Sequence, residues 1–247
     1  PCGQPVERVK QHGSQQERLT VLDVVTRIGD SATIAPVLDL AVHFSPAERR
    51  RVEQLVVNMG LRSVPAIVEV LNGENNSYPS RSIAARALGK LAFPQFEAQS
   101  AAIIRRELMR ASDYMYFSWQ LGASDSGGRG TAVLRRYYED AYRSVLDFVL
   151  ELLTIGGRLP NFELIGSSLR SGNQKARGNA IETLEQGVSR PVFKLLLPLV
   201  DSRGMDDRIS WYLRSIGKKR TVAEIVSAAA LSASDLEAAI GMQALFE

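Results

Sequence analysis

Apolar residues recur along most of the chain at intervals of three and four positions. This spacing places them on one face of an α-helix, and strand-like alternation of useful length is missing. Helix starts are marked by capping boxes, in which a hydroxyl and a carboxylate each accept a backbone N–H. They are Ser14-x-x-Glu17, Ser45-Pro46-x-Glu48, Thr221-x-x-Glu224 and Ser234-x-x-Glu237. The pattern predicts an all-α protein.

A large apolar residue followed by glycine marks several predicted helix ends, because glycine readily terminates a helix. The pairs are Ile28-Gly29, Met59-Gly60, Leu88-Gly89, Ile155-Gly156 and Ile216-Gly217. The first three glycines are 31 and 29 residues apart, and Gly187 lies 31 residues after Gly156 and 30 before Gly217. A period near 30 residues, holding two short helices, predicts an α-solenoid of stacked helical hairpins.

Two segments share the motif R-x-x-A-x-x-x-L: RSIAARALGKL from Arg81 and RGNAIETL from Arg177. Their small residues, Ala84 and Ala180, would permit close helix approach. Together with VVTRIGDSATIAPVLDLA from Val24, these segments resemble the HEAT-repeat family, particularly its short bacterial variety, with an L-G or I-G-D hinge between helices. The resemblance covers about two thirds of the chain and implies a right-handed superhelix of helical hairpins.

The middle of the chain departs from this period. From Phe96 to Leu121 and from Thr131 to Ile155 the helical pattern runs on without a hinge, which predicts a long antiparallel hairpin with Thr131 capping its second helix. The predicted organisation is one continuous solenoid. Its parts are a flexible segment (1–16), N-terminal repeats (17–94), the hairpin (95–156, with a glycine-rich tip at 123–130) and C-terminal repeats (157–247).

Residues 162–201 carry a second resemblance, in R-x-N-A-I-E-x-L followed by a P-L-V-D ending. They look like the HEAT segment of bacterial proteins that join an ATP/ADP-translocase-like transporter domain to HEAT repeats and a cyclic-nucleotide-binding domain. This resemblance implies a cytoplasmic module, tethered to the inner membrane through a neighbouring transmembrane domain. A first residue of proline also suggests a piece of a longer protein.

The composition of the chain argues against several kinds of catalytic and metal-binding site. The 247 residues are 45% hydrophobic and 23% charged, which is typical of a globular protein, and the net charge of +3 predicts no charge-driven partner. One cysteine (Cys2) and two histidines (His12 and His43) argue against disulfides, zinc clusters and most catalytic triads. We therefore predict a protein without enzymatic activity, cofactor or metal.

Short basic runs leave an alternative open, because α-solenoids can bind DNA and some HEAT-like proteins are DNA glycosylases or bilin lyases. The runs are Arg49-Arg50-Arg51, Arg105-Arg106, Arg135-Arg136 and Lys218-Lys219-Arg220. Arranged along one groove, they could neutralise phosphates. Nearby carboxylates offset several of them, so nucleic-acid binding is the second hypothesis and an enzyme the third.

Aromatic residues are concentrated in the predicted hairpin, where eight of the chain's 17 lie between positions 114 and 148. Tyr137 and Tyr138 are adjacent and point to different sides of a helix, so at least one is predicted to be exposed. Tyr138 and Tyr142, beside Arg135, would form an aromatic and arginine patch of the kind found at protein interfaces. We predict that these three residues and Trp119 contact an adjoining domain or subunit.

Overall fold

The computed structural model describes residues 14, 16–18, 20, 21, 24, 30–123, 128–201, 203–217 and 219–246. These residues form α-helices, 3₁₀ turns and loops, with no strand among them, which confirms the prediction of an all-α protein. The chain divides into two compact units, Pro1–Ala101 and Ala102–Glu247.

The first unit is built around one helix that is rich in small residues. Its helices are α1 (Ile34–Asp39), α2 (Pro46–Asn58), α3 (Val64–Asn72), α4 (Tyr78–Leu91) and the start of α5 (Phe93–Gly122). Helix α4 packs against both α2 and α3. Its residues Ala84, Ala85 and Ala87 are fully buried.

The second unit contains the long hairpin and the C-terminal helices. After the remainder of α5 come α6 (Arg129–Ile155), α7 (Phe162–Arg170), α8 (Gln174–Gly187), α9 (Arg190–Val200), α10 (Met205–Ser215), α11 (Val222–Ala230) and α12 (Asp235–Leu245). These bounds confirm the two long helices of the predicted hairpin. Residues 124–127 of the predicted tip lie outside the described residues.

Helix α12 lies close against both α11 and α6, and glycines make this possible. A Cβ on Gly241 would lie 2.3 Å from the backbone nitrogen of Ala230 in α11. A Cβ on Gly130 would lie 2.7 Å from the Cα of Ala244 in α12. Both distances are far below van der Waals contact, so any larger residue would force these helices apart.

Most predicted helix termini are confirmed. Helix α2 ends next to Gly60, whose φ of 73° is a conformation that glycine adopts readily. Gly89 is different, because α4 continues to Leu91 and the predicted end at Leu88-Gly89 is wrong. Thr131 does not cap the hairpin's second helix either, since α6 begins at Arg129 with Gly128 at its N-cap. The pair Ile28-Gly29 lies outside the described residues.

The capping boxes of Ser14, Ser45 and Thr221 are confirmed by reciprocal hydrogen bonds to Glu17, Glu48 and Glu224. The box of Ser234 is half formed. Its hydroxyl accepts the N–H of Glu237, but the Glu237 carboxylate accepts hydrogen bonds from the hydroxyls of Tyr138 and Ser232 instead. The Glu237 carboxylate therefore makes a tertiary contact instead of completing the N-cap of α12.

An arginine occupies the fourth position of four helices: Arg49 in α2, Arg81 in α4, Arg177 in α8 and Arg208 in α10. Each donates its Nε–H to a backbone carbonyl in the last turn of another helix or, for Arg49, in the 3₁₀ turn Leu40–His43 that follows α1. The acceptors are Ala41 at 2.9 Å, Leu71 at 3.0 Å, Val200 at 3.1 Å and Pro198 at 2.8 Å, respectively. The carbonyls of a last helical turn lack partners within their own helix and carry partial negative charge, so a guanidinium satisfies them and opposes the helix dipole.

These arginines follow the period of the sequence. Arg81 lies 32 residues after Arg49, Arg208 lies 31 after Arg177, and the interval from Arg81 to Arg177 is 96 residues, three times 32. The shared motif R-x-x-A-x-x-x-L thus begins with a residue that joins one helix to the end of another.

Replacing Arg81 by alanine tests this contact where it is most buried, since Arg81 is 0% exposed. The change leaves the Leu71 carbonyl without its donor and opens a cavity, so we expect the free energy of unfolding to fall by about 3 kcal/mol. Urea denaturation followed by far-ultraviolet circular dichroism measures this. Arg50→Ala is the control, because Arg50 lies exposed in the first turns of α2, directly after Arg49, and makes no such bond, and it should change stability by no more than about 0.5 kcal/mol. Equal losses in the two variants would show that the contact is energetically unimportant.

Candidate functional site

Tyr138 does not lie on an outer surface. It is 1% exposed and belongs to an apolar cluster in which α5, α6 and α11 meet. The other buried members are Leu121, Leu134, Ile225, Val226 and Ala229. Its ring stacks on Tyr114 at 5.4 Å and meets Phe117 edge-on at 5.3 Å. The prediction that Tyr138 contacts a partner is therefore wrong, because the chain's own helices surround it.

Neither tyrosine of the adjacent pair is exposed, which contradicts the expectation for Tyr137 and Tyr138. Tyr137 is half-buried against the same cluster, and the Tyr138 hydroxyl donates to Glu237 of α12 at 2.8 Å. Burial raises the pKa of both phenols, and the nearby Glu237 carboxylate adds to the rise for each. Helices α11 and α12 cover a second side of α6, in addition to the side that faces α5 in the predicted hairpin.

Helix α10 packs on the aromatic residues of the hairpin from another direction. Tyr116 of α5 stacks on Tyr212 of α10 with ring centroids 4.7 Å apart. The Tyr212 hydroxyl donates to Asp113 at 2.6 Å, and burial raises the pKa of this carboxyl. The hairpin is thus integrated into the second unit on more than one side.

Arg135 and Trp119 keep their place as predicted contact residues. Arg135 is exposed and pairs with Glu139 at 3.0 Å, while Trp119 is half-buried with its ring 6.1 Å from that of Tyr116. An exposed ion pair of this kind contributes little stability. Nothing within the described residues requires Arg135 for packing, so a contact with a partner remains a prediction for these two residues.

Members of every basic run have partners inside the chain. Arg49 donates to the Ala41 carbonyl, Arg106 lies 3.5 Å from Glu107, and Arg135 pairs with Glu139. The guanidinium of Arg220 lies over the ring of Phe117 at 5.3 Å. These contacts use part of the positive charge that the nucleic-acid hypothesis requires for phosphates.

Tyr142 lies at the C-terminal end of α9, where it and two arginines bind three successive carbonyls. We call this group, formed by Tyr142, Arg177 and Arg208 around the carbonyls of Pro198, Leu199 and Val200, the α9 end site. Arg208 donates to Pro198 at 2.8 Å and to Leu199 at 3.0 Å. Arg177 binds Val200 through two nitrogens, at 2.8 and 3.1 Å, and the Tyr142 hydroxyl donates to Leu199. The carbonyls of Pro198, Leu199 and Val200, which follow the last backbone hydrogen bond of α9 at Leu197, therefore each have a side-chain donor.

Burial within the α9 end site keeps the Tyr142 hydroxyl neutral. Burial raises the pKa of Tyr142 above its ordinary value, although the guanidinium groups of Arg208, Arg177 and Arg143 act in the opposite direction. Its hydroxyl can then donate to Leu199 while it accepts a hydrogen bond from Arg208 at 2.9 Å. Tyr142 is half-buried and its hydroxyl belongs to a structural network, and a contact of its ring with a partner stays a prediction.

Helix α12 presents an apolar face that the sequence analysis did not identify. Leu236 and Phe246 are 63% and 82% exposed, and Met242 lies exposed between them. With Ala239 they follow one another at intervals of three, three and four residues, so they form one stripe along the helix. The available signal was the absence of charged residues between Glu237 and Phe246.

No three His, Cys, Asp or Glu side chains are grouped as metal ligands within the part of the chain that the structure describes. In the same residues no single helix is long and apolar enough to cross a membrane, although the bent pair Pro46–Asn58 and Leu61–Asn72, meeting at 105°, satisfies both conditions together.

Comparison with protein-family models, curated proteins and solved structures finds no significant match to this chain.

The raised pKa of Tyr138 predicts a loss of stability in alkali. Above about pH 10, the ordinary pKa of tyrosine, the unfolded chain loses the phenol proton while the folded protein keeps it, so the free energy of unfolding falls as pH rises. This contribution is fully present below pH 10. Urea denaturation between pH 8 and 11.5 should show that Tyr138→Phe declines less steeply than the unaltered protein, by up to about 1.4 kcal/mol per pH unit.

Phe117→Leu is the matched control, because Phe117 packs on the same ring and has no ionisable group. It should lower stability equally at every pH and leave the slope unchanged. Identical slopes for Tyr138→Phe and the unaltered protein would contradict the assignment of the alkaline transition to Tyr138.

Proposed function

We propose that this protein is a non-catalytic protein-interaction module, built as a HEAT-like α-solenoid, with its docking surface on helix α12. Support for the repeat comes from the four arginines at the fourth helical position and from their spacing of about 32 residues. Repeat proteins bury their helical faces mainly on neighbouring repeats, and they use the remaining surface for binding.

The exposed apolar stripe of α12 carries the proposal. A helix that is apolar around its circumference is normally covered on all sides, and exposed apolar patches commonly mark interaction sites. One side of α12 packs on α11 and α6, but Leu236, Met242 and Phe246 face away from these contacts. From Leu236 to Phe246 the stripe extends about 15 Å along the helix axis, at 1.5 Å per residue.

The occupant that fits this surface is an amphipathic helix of another protein. A stripe with intervals of three and four residues matches the apolar face of a second helix laid alongside it. Asp235, exposed beside Leu236 at the beginning of α12, has no partner among the described residues. Its charge favours a lysine or arginine at the corresponding end of the partner helix.

The proposal includes a cellular context, namely the cytoplasmic part of a bacterial membrane protein that also carries a transporter-like domain. Its support is the resemblance of residues 162–201 to the HEAT segment of such proteins. In that setting, the helix docked on α12 would belong to an adjoining domain or subunit.

Photocrosslinking in the source cells tests the docking surface. A photoreactive amino acid at position 242 should yield one discrete protein adduct, and mass spectrometry should place the linked residue on an amphipathic helix. Adding Leu236→Asp should weaken the association by about 2 kcal/mol, roughly thirtyfold in affinity, and remove the adduct. Leu164→Asp is the matched control, since Leu164 on α7 is 65% exposed, close to the 63% of Leu236.

Three results would contradict the proposal. They are no adduct at position 242, an adduct that persists in Leu236→Asp, or the same set of adducts from a probe at position 164. An adduct to a second copy of the chain would replace the proposed partner with self-association, and an adduct to nucleic acid would favour the nucleic-acid hypothesis.

A further inference from the structure

A cavity of about 200 Å³ lies beside the α9 end site, within the second unit. Helices α6, α7 and α9 supply its apolar walls, which consist of Leu146, Leu150, Leu169, Leu199 and Val200. All except Leu146 are buried, so the walls are held in place by packing. Tyr142, Arg177 and Arg208 lie at the polar part of the lining.

The two guanidinium groups of the α9 end site retain unused donors. Arg177 uses Nε and Nη2 for the carbonyls of Val200 and Asp201, and Arg208 uses Nε and Nη2 for Pro198, Leu199 and Tyr142. Nη1 of each residue donates to no group that the structure describes, and no described carboxylate pairs with either side chain. Both arginines are therefore fixed in position while part of each fork remains available.

The remaining charged groups of the lining are already paired. Arg170 lies 2.6 Å from Asp147, and Arg143 lies 3.3 Å from Asp140. Available positive charge is thus concentrated at Arg177 and Arg208, which hold the neighbouring carbonyls of Val200 and Leu199.

We propose that this cavity binds a short aliphatic carboxylate, with its anionic group on Arg177 and Arg208 and its hydrocarbon part against the leucine walls. Guanidinium groups bind carboxylates through paired, charge-assisted hydrogen bonds. The site is separate from the α12 stripe, so it does not depend on the proposed docking function.

The size and charge of the cavity define the ligand class. A water molecule occupies about 30 Å³ of liquid volume, so the cavity has room for about seven groups of that size, which corresponds to a carboxylate with four or five further carbons. The carbonyl end of α9 carries partial negative charge that offsets part of the charge of Arg177 and Arg208, which favours a monoanion over a phosphate dianion.

The same chemical group occurs in two sources: a free short-chain acid, and the C-terminal residue of a polypeptide that ends in leucine. Both present a carboxylate next to a branched or linear aliphatic group. Hexanoate represents the free acid and the tripeptide Gly-Gly-Leu represents the C-terminal leucine. The probe that binds more tightly identifies the source.

Isothermal titration calorimetry of the full chain at pH 7 tests the proposal with hexanoate, Gly-Gly-Leu, hexan-1-ol and butyl phosphate. We expect saturable binding of a carboxylate probe, and at least about tenfold weaker binding of the uncharged alcohol, because it lacks the charge-assisted hydrogen bonds. Tighter binding of butyl phosphate than of either carboxylate would overturn the assigned ligand class. No saturable binding of either carboxylate up to about 10 mM, which corresponds to an affinity too weak to be specific, would overturn the site itself.

Variants locate the binding. Arg177→Gln removes charge but also disturbs the end of α9, so a second variant, Leu146→Trp, fills the cavity from its partly exposed wall and leaves both arginines intact. Leu146→Trp should weaken carboxylate binding by about tenfold or more through steric exclusion. Leu164→Trp, on an exposed surface of α7, should bind as the unaltered protein does. Equal affinity in Leu146→Trp and Leu164→Trp would place the ligand elsewhere and contradict the proposal.

Discussion

The contact between an arginine guanidinium and the carbonyl end of another helix is the interaction on which much of this structure depends. A helix that ends against another leaves its last carbonyls unbonded, and burying them without donors costs free energy. Arg49, Arg81, Arg177 and Arg208 supply these donors from the first turns of other helices. The last turn of one short helix can then lie against the first turn of another, as in α3 and α4.

The long hairpin is held together by a different interaction. Its helices α5 and α6 have Phe96 and Ala132 at the fourth position, where α2, α4, α8 and α10 carry arginine. Rings of Tyr114, Phe117 and Tyr138 fill the space between them, and α10 to α12 cover the outer sides. Aromatic stacking therefore replaces the arginine contact in the part of the chain where the sequence period is interrupted.

Helix positions were predictable because apolar periodicity and caps act locally, and the ends at Gly60 and Ile155 agree with the structure. Gly89 was misleading because α4 is enclosed by α2 and α3, and tertiary packing outweighs the local preference of one glycine. The surroundings of Tyr138 and Tyr142 could not be predicted for a related reason. They include Glu237 and Arg208, which are 99 and 66 residues away in the chain, and no local pattern indicates such contacts.

Arg81 and Arg208 make the same kind of contact with a helix end, but only the contact of Arg208 lies beside a cavity. Arg81 is fully buried and its guanidinium lies 5.5 Å from the Tyr78 ring, so its contact with Leu71 is inaccessible to a ligand. Arg208 is half-buried, and its aromatic neighbour Tyr142 binds through its hydroxyl. Here the ring does not close over the arginine, and the cavity remains beside it. A lysine could satisfy one carbonyl at either position, but only the planar fork of arginine can bind the helix end through two nitrogens and retain a further donor.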